Sequence, residues 1–367
     1  MLHSHNAMQP AFVLVDDVLF DTHKSDSVHP ERPERLRAIR QALTEMSPHL
    51  PSETLPARDA THDELLRVHT ESYIAKLDQA AGLRGHFDED TYYSPTSVAA
   101  ARRAAGGAVA LSDSLVSGDS KLGFALVRPP GHHATPDSAM GFCMLNNAAV
   151  AAAHARALGL TRIAIVDWDV HHGNGTEEIF YADPHVLYVS LHQSPCYPGT
   201  GAAADCGRGD GQGFTVNVPL SANADIHVYK LAVERIIGPI LSQYAPDLLL
   251  ISAGFDAHFR DPLAAMKLDD SSYGLLYESL FAALPTRQVG NTSVHPSVGV
   301  LLEGGYDLAA LAGSFQATVE AAVACSDGRP EAYGDAHPNP SSAVVSPVHE
   351  AELERALASQ RRYWRLD

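Results

Sequence analysis

Asp167, Asp169 and His171 stand at alternate positions of the run VDWDVHHGNGT, residues 166–176. In extended backbone, alternate side chains share a face, so these three make one chelating face while Trp168 and Val170 turn into packing. A catalytic zinc takes three protein ligands and keeps a position open for water or substrate. Asp169, His171 and the distant Asp256 of SAGFDAH, residues 252–258, supply that set. Two carboxylates and an imidazole neutralise a dication and leave a Lewis acid that polarises a carbonyl and lowers the pKa of water. Asp167 is placed behind the ligands. Manganese and ferrous iron accept the same donors, so zinc is a preference. Alone, the pattern also fits a polar strand terminus, and Asp256 alone fits a loop cap.

His132 and His133 follow Pro129-Pro130-Gly131, a turn that rules out a continuing helix. A solvent-facing loop or a second metal site would account for them. Beside a Lewis acid, the stronger reading is that one imidazole takes a proton from water and returns it to a leaving amine, while the other adds positive potential. Each needs a partner on its second nitrogen, and Asp167 and Asn174 are on offer. Tyr306 follows Glu303-Gly304-Gly305. It reads either as a buried ring or as a phenol donating to the oxygen that turns negative in a tetrahedral intermediate.

These groups need a frame. Short β-branched runs at 12–15, 123–127, 162–166, 186–191, 248–252 and 298–302 predict buried strands, and stretches at 97–117, 146–158 and 227–244 predict helices between several of them. That alternation is the signature of an α/β fold with a parallel sheet, whose active site lies beyond the carboxyl ends of the strands. Four of the runs lead directly into the His132, Asp169, Asp256 and Tyr306 motifs. With no repeat and no dividing linker, the expected organisation is one domain over 1–367, with a core of about 10–325. A Pro/Ser/Asp/Gly-rich stretch at 326–346 then precedes a final helix at 350–365.

The net charge of −18 argues against binding a phosphate backbone and suits a cationic partner, although an acidic surface is more often a solubility feature. Four cysteines without CxxC pairing (Cys143, Cys196, Cys206 and Cys325), no basic-then-apolar leader and no unbroken run of eighteen apolar residues predict a soluble, cytoplasmic chain with reduced thiols and no membrane contact.

Taken together, RPPGHHA (128–134), GFCMLNN (141–147), VDWDVHHGNGT (166–176), SLH (190–192), SAGFDAH (252–258), LEGGYD (302–307) and HPERPERL (29–36) resemble the histone deacetylase superfamily. Asn174 and the SAGFDAH form look like its class II branch and the bacterial relatives. The resemblance implies the arginase/deacetylase fold, zinc on Asp169, His171 and Asp256, and Tyr306 as the carbonyl-polarising residue. It also supports pairing His132 with Asp167 as the cationic member, and His133 with Asn174 as general base and then acid. It implies an acyl-lysine tunnel with Phe142 and Tyr197 as its aromatic walls, and Gly141, Leu263 and Gly304 are assigned to substrate binding alongside them. A structural potassium near Asp167, Asp169, His171, Ser190 and Leu191 is implied, as is a second near Phe180, Asp183 and Val186.

Acetylpolyamine-directed relatives similar to this chain carry a Glu after the Asp-Pro pair, where Asp261-Pro262 is followed here by Leu263. Leucine offers no charge to a distant amine, which favours an acetyl-lysine peptide or protein, or a small neutral amide. The implied partner is thus an acylated amine, without nucleic acid or membrane and with room for a homo-oligomer. The competing readings are an acetylpolyamine hydrolase, a dimanganese ureohydrolase and a non-catalytic module that binds acylated ligands.

Overall fold

A computed structural model of the protein describes residues 10–289, 292–329, 331–337 and 345–366. Its centre is one eight-stranded sheet of β1 (Phe12–Asp16), β2 (Ser52–Pro56), β3 (Leu122–Ala125), β4 (Ile163–Asp167), β5 (Val186–Gln193), β6 (Thr215–Leu220), β7 (Leu248–Ala253) and β8 (Ser297–Leu302). The spatial order is β2-β1-β3-β8-β7-β4-β5-β6, and every neighbouring pair is parallel. Every residue of β3, β4, β7 and β8 is buried, which is why these strands read as unbroken apolar runs. Each buried Val, Leu or Ile side chain there contributes roughly 1.5–3 kcal/mol.

Helices form over the three stretches read from the sequence, whereas Glu34–Met46, Glu71–Ala80, Asp270–Ala282 and Leu308–Ser326 were not among them. Ser97–Ser117 has the predicted bounds, and Asn147–Ala157 begins after Asn146, whose side chain caps the Ala149 N–H at 3.0 Å. The predicted 227–244 helix is Ile226–Ala232, a π-helical segment Val233–Ile237, and Gly238–Tyr244. Leu308–Ser326 is long and apolar enough to cross a bilayer by length and composition, but it packs against Asp270–Ala282 and Glu34–Met46, the placement of a core helix.

Two strands of this sheet escaped the sequence reading. β2 is a largely exposed edge strand, SETLP, with no apolar run, and β6, TVNVPL, interleaves Thr215, Asn217 and Pro219 with its apolar residues at the other edge. The last helix is Pro347–Gln360, not 350–365: Ser346 caps it by accepting from the His349 N–H, and Pro347 opens its first turn. Residues 330 and 338–344 of the Pro/Ser/Asp/Gly-rich stretch, and residues 1–9, lie outside the described residues.

Candidate active site

β3, β8, β7 and β4 are consecutive in the sheet and end on the same edge. The loops leaving them carry His132 and His133, Tyr306, Asp256, and Asp169 with His171, so parallel pairing alone gathers residues up to 174 positions apart.

Asp169, His171 and Asp256 are buried, and their ligand atoms lie within 4.8 Å of one another. His171 Nδ1 is 3.2 Å from both Asp169 Oδ1 and Asp256 Oδ2. Backbone donors fix the other faces of the carboxylates: Gly304 N–H to Asp169 Oδ2 at 2.8 Å, His171 N–H to Asp169 Oδ1 at 2.9 Å, and Val170 N–H to Asp256 Oδ1 at 2.9 Å. Burial, and then the neighbouring Asp169 charge, push the Asp256 carboxyl above the usual range. A dication relieves that conflict, and two carboxylates with one imidazole are a donor set zinc accepts, so these residues fit the implied metal. Only glycine fits at position 304, where a Cβ would sit 2.1 Å from Asp256 Oδ2.

The other group of potential ligands among the described residues is His132, Cys143 and Glu303. Two of its members are already engaged, His132 by Asp167 and Glu303 by backbone donors.

The two histidines have opposite electrostatics. Burial disfavours a charge on His132, but the Asp169 and Asp167 carboxylates outweigh it and its pKa is pushed up to about 10; its Nδ1 donates to Asp167 Oδ2 at 3.0 Å. His133 is held well below the usual imidazole range by burial and then by the positive charges of His132 and His171. Its Nδ1 donates to the Asn174 side-chain oxygen at 2.8 Å, which leaves Nε2 as the basic nitrogen. The ring centroids are 4.0 Å apart. Asp167 faces His132 and lies outside the ligand cluster, since β4 ends there and the chain turns away.

Tyr306 packs edge-on to Phe142 with centroids 5.9 Å apart, and the Arg35 guanidinium lies 5.0 Å from its ring centre. Burial drives its phenol well above the ordinary range, so it keeps its proton at neutral pH. Phe142 takes a left-handed φ of +70° and donates its N–H to Thr91 Oγ1 at 3.0 Å. Gly141 precedes it at φ +55°, against the His133 ring. Tyr197 stands edge-on to His133 at 5.1 Å and is 38% exposed. Leu263, 37% exposed, donates its N–H to Asp261 Oδ1, while Asp261 Oδ2 accepts from the Tyr306 N–H at 2.7 Å.

Of the potassium residues, Ser190 pairs with Asp167 across the sheet, and its hydroxyl meets His192 Nδ1 at 2.9 Å. Leu191 is buried in β5. Phe180 and Val186 are buried, and Asp183 is engaged by the Arg156 guanidinium and the His185 N–H.

A buried ion network was not foreseen. Glu31 accepts from Arg128 Nε at 2.5 Å and from Arg35 Nη1 at 3.3 Å, and Arg35 in turn donates to the carbonyls of Glu303 and Gly305 at 2.5 and 2.6 Å. The HPERPERL and RPPGHH runs contained these residues, but no periodicity says that they meet.

A family model described as the histone deacetylase domain matches residues 29–322. Histone deacetylase 15 of Arabidopsis thaliana is 44% identical over 299 residues, covering 80% of this chain and 52% of that protein, so the chain spans about half of this relative's length. The histone deacetylase-like amidohydrolase of Pseudomonas aeruginosa is 39% identical over 283 residues, covering 76% and 72% of the two chains. Among solved structures, the crystal structure of the HDA15 HD domain superposes with a TM-score of 0.86 at 37% identity, covering 97% of this chain and 95% of that one. Fold and relatives together define an enzyme of the deacetylase class with the arginase/deacetylase architecture. The chain belongs to the histone deacetylase family.

Proposed function

We propose that the chain is a zinc-dependent deacetylase that hydrolyses the acyl amide of acyl-lysine side chains, acetyl-lysine foremost. The observation that carries this reading is the adjacent His132 and His133, one paired with the Asp167 carboxylate and the other with the Asn174 amide oxygen, beside a three-residue cluster fit for a metal. Zinc held by Asp169, His171 and Asp256 would supply Lewis acidity, drawing charge from the amide carbonyl and acidifying the attacking water. His133 Nε2 takes the proton from water and later passes it to the departing lysine amine, while Asn174 holds the ring's tautomer. His132 remains an imidazolium paired with Asp167 and adds positive potential throughout. The Tyr306 phenol donates to the developing oxyanion. Gly141 gives close approach to His133, Phe142 and Tyr197 wall the acyl chain, and the potassium ions and single-domain organisation implied by the family belong to the same proposal.

Leu263, 37% exposed and beside the Asp261 carboxylate that holds the Tyr306 N–H, itself offers no charge to a remote ammonium. Acetyl-lysine peptides are therefore the proposed substrates over acetylated polyamines. Comparing kcat/KM for the two classes on zinc-loaded enzyme tests this: a peptide preference supports it, and a polyamine preference overturns the use made of Leu263.

A further inference from the structure

The machinery sits on loops from four strand ends, and catalysis requires those loops to hold one another in register to a fraction of an ångström. Glu303, fully buried between β8 and the Gly304-Gly305-Tyr306 loop, is absent from the proton and oxyanion chemistry above. Its side chain reaches across to the histidine loop. Oε2 accepts from the Gly131 N–H at 2.7 Å and the His132 N–H at 3.2 Å, and Oε1 accepts from the Ser252 hydroxyl at 3.2 Å at the end of β7. One carboxylate thus joins the ends of β8 and β7 to the dyad loop. Its own main chain is held in turn, because Arg35 donates to the carbonyls of Glu303 and Gly305 on either side of Gly304. Arg35 shares Glu31 with Arg128, the residue that opens the dyad loop, so a second brace joins the same two loops.

We infer that Glu303 is a positioning residue that fixes the His132–His133 loop against the loop carrying Tyr306. Its kinetic consequence rests on the deacetylase reading, while its structural consequence rests on the hydrogen bonds alone. Removing the carboxylate leaves two buried N–H donors unpaired, and the dyad loop relaxes to satisfy them. The clamp itself is made by the two acceptor oxygens. A glutamine oxygen can accept from both N–H groups, with its amide turned toward the Ser252 hydroxyl.

The test compares wild type with Glu303→Ala, Glu303→Gln and Glu303→Asp in zinc-loaded enzyme, reading kcat, KM, zinc content, melting temperature and amide exchange at residues 131 and 132. Glu303→Ala should lower kcat about 100-fold, the cost of roughly an ångström of misplacement, with KM within about twofold and zinc retained. Its Gly131 and His132 amides should exchange faster. Glu303→Gln should restore both turnover and protection. Glu303→Ala retaining turnover and protection would overturn the assignment, as would Glu303→Gln failing to restore them. If Glu303→Ala does not fold, the shorter Glu303→Asp decides: impaired turnover beside an active Glu303→Gln supports the clamp, and equal turnover refutes it. If wild type hydrolyses no acyl-lysine substrate, the deacetylase reading fails, and the exchange comparison alone decides the clamp.

Discussion

Tyr306→Phe removes one hydroxyl and leaves the rest of its residue in place. The ring keeps its edge contact with Phe142 and its place beside the Arg35 guanidinium, and the backbone N–H remains on Asp261. The side chain is 8% exposed, so no solvent shell compensates the loss of the phenol. Because burial holds that phenol far above its ordinary pKa, it is a proton donor across the working pH range, and the substitution deletes a donor without deleting a charge. Loss of one preorganised oxyanion donor costs about 2.7–4 kcal/mol, or about 100- to 1000-fold in kcat. Substrate binding depends little on it, since the carbonyl oxygen gains its charge only in the transition state, so KM should change by about twofold or less. Steady-state hydrolysis of an acetyl-lysine peptide, with zinc measured on the same preparation, reads both. A variant that keeps zinc and more than about a tenth of wild-type kcat would refute the oxyanion role.

Gly141→Ala places a Cβ 2.4 Å from His133 Cδ2 at a residue with φ +55°, so the basic ring must move; kcat should fall about 100-fold with zinc retained. His69 is buried as a neutral ring between the Thr135 carbonyl and the Asn146 N–H, and burial depresses its pKa from 6.5 to about 4. Between those values the unfolded chain binds the extra proton and the folded chain does not. Stability is therefore full above pH 6.5 and falls as pH drops toward 4, by up to roughly 3 kcal/mol at about 1.4 kcal/mol per pH unit. Denaturant midpoints measured across that range should show the decline, and His69→Gln should make it shallower without abolishing it, since His133 and His192 are also held below the usual imidazole range. Leu263→Glu should move the ratio of kcat/KM toward acetylated polyamines by about tenfold or more, a change of about 1.4 kcal/mol, and an unchanged ratio would remove Leu263 from specificity.

How much of this was legible beforehand depended on whether the cause was local. β3, β4, β7 and β8 are buried on both faces, so their apolar runs announce them, whereas the edge strands β2 and β6 are half polar and are strands only because β1 and β5 offer them partners. That Asp169, His171 and Asp256 gather beside His132 and His133 was legible because strand ends feed them into one place. Glu303 was visible in the same motif as Tyr306, yet its role depends on Gly131 and His132, more than 170 positions away. The same holds for Glu31, which meets Arg128 across 97 positions. The left-handed backbone at Phe142 was equally hidden, because nothing in a phenylalanine signals φ above zero; the Thr91 hydroxyl holds it there.

The central claim, one zinc on Asp169, His171 and Asp256 driving amide hydrolysis, is tested most directly by stripping the enzyme with a chelator and titrating zinc back while following acetyl-lysine peptide hydrolysis. Activity should vanish on stripping and return with a break at one equivalent, and Asp256→Asn should bind zinc weakly and show no break. Full activity in the stripped enzyme, or a requirement for two divalent ions per chain, would contradict the account.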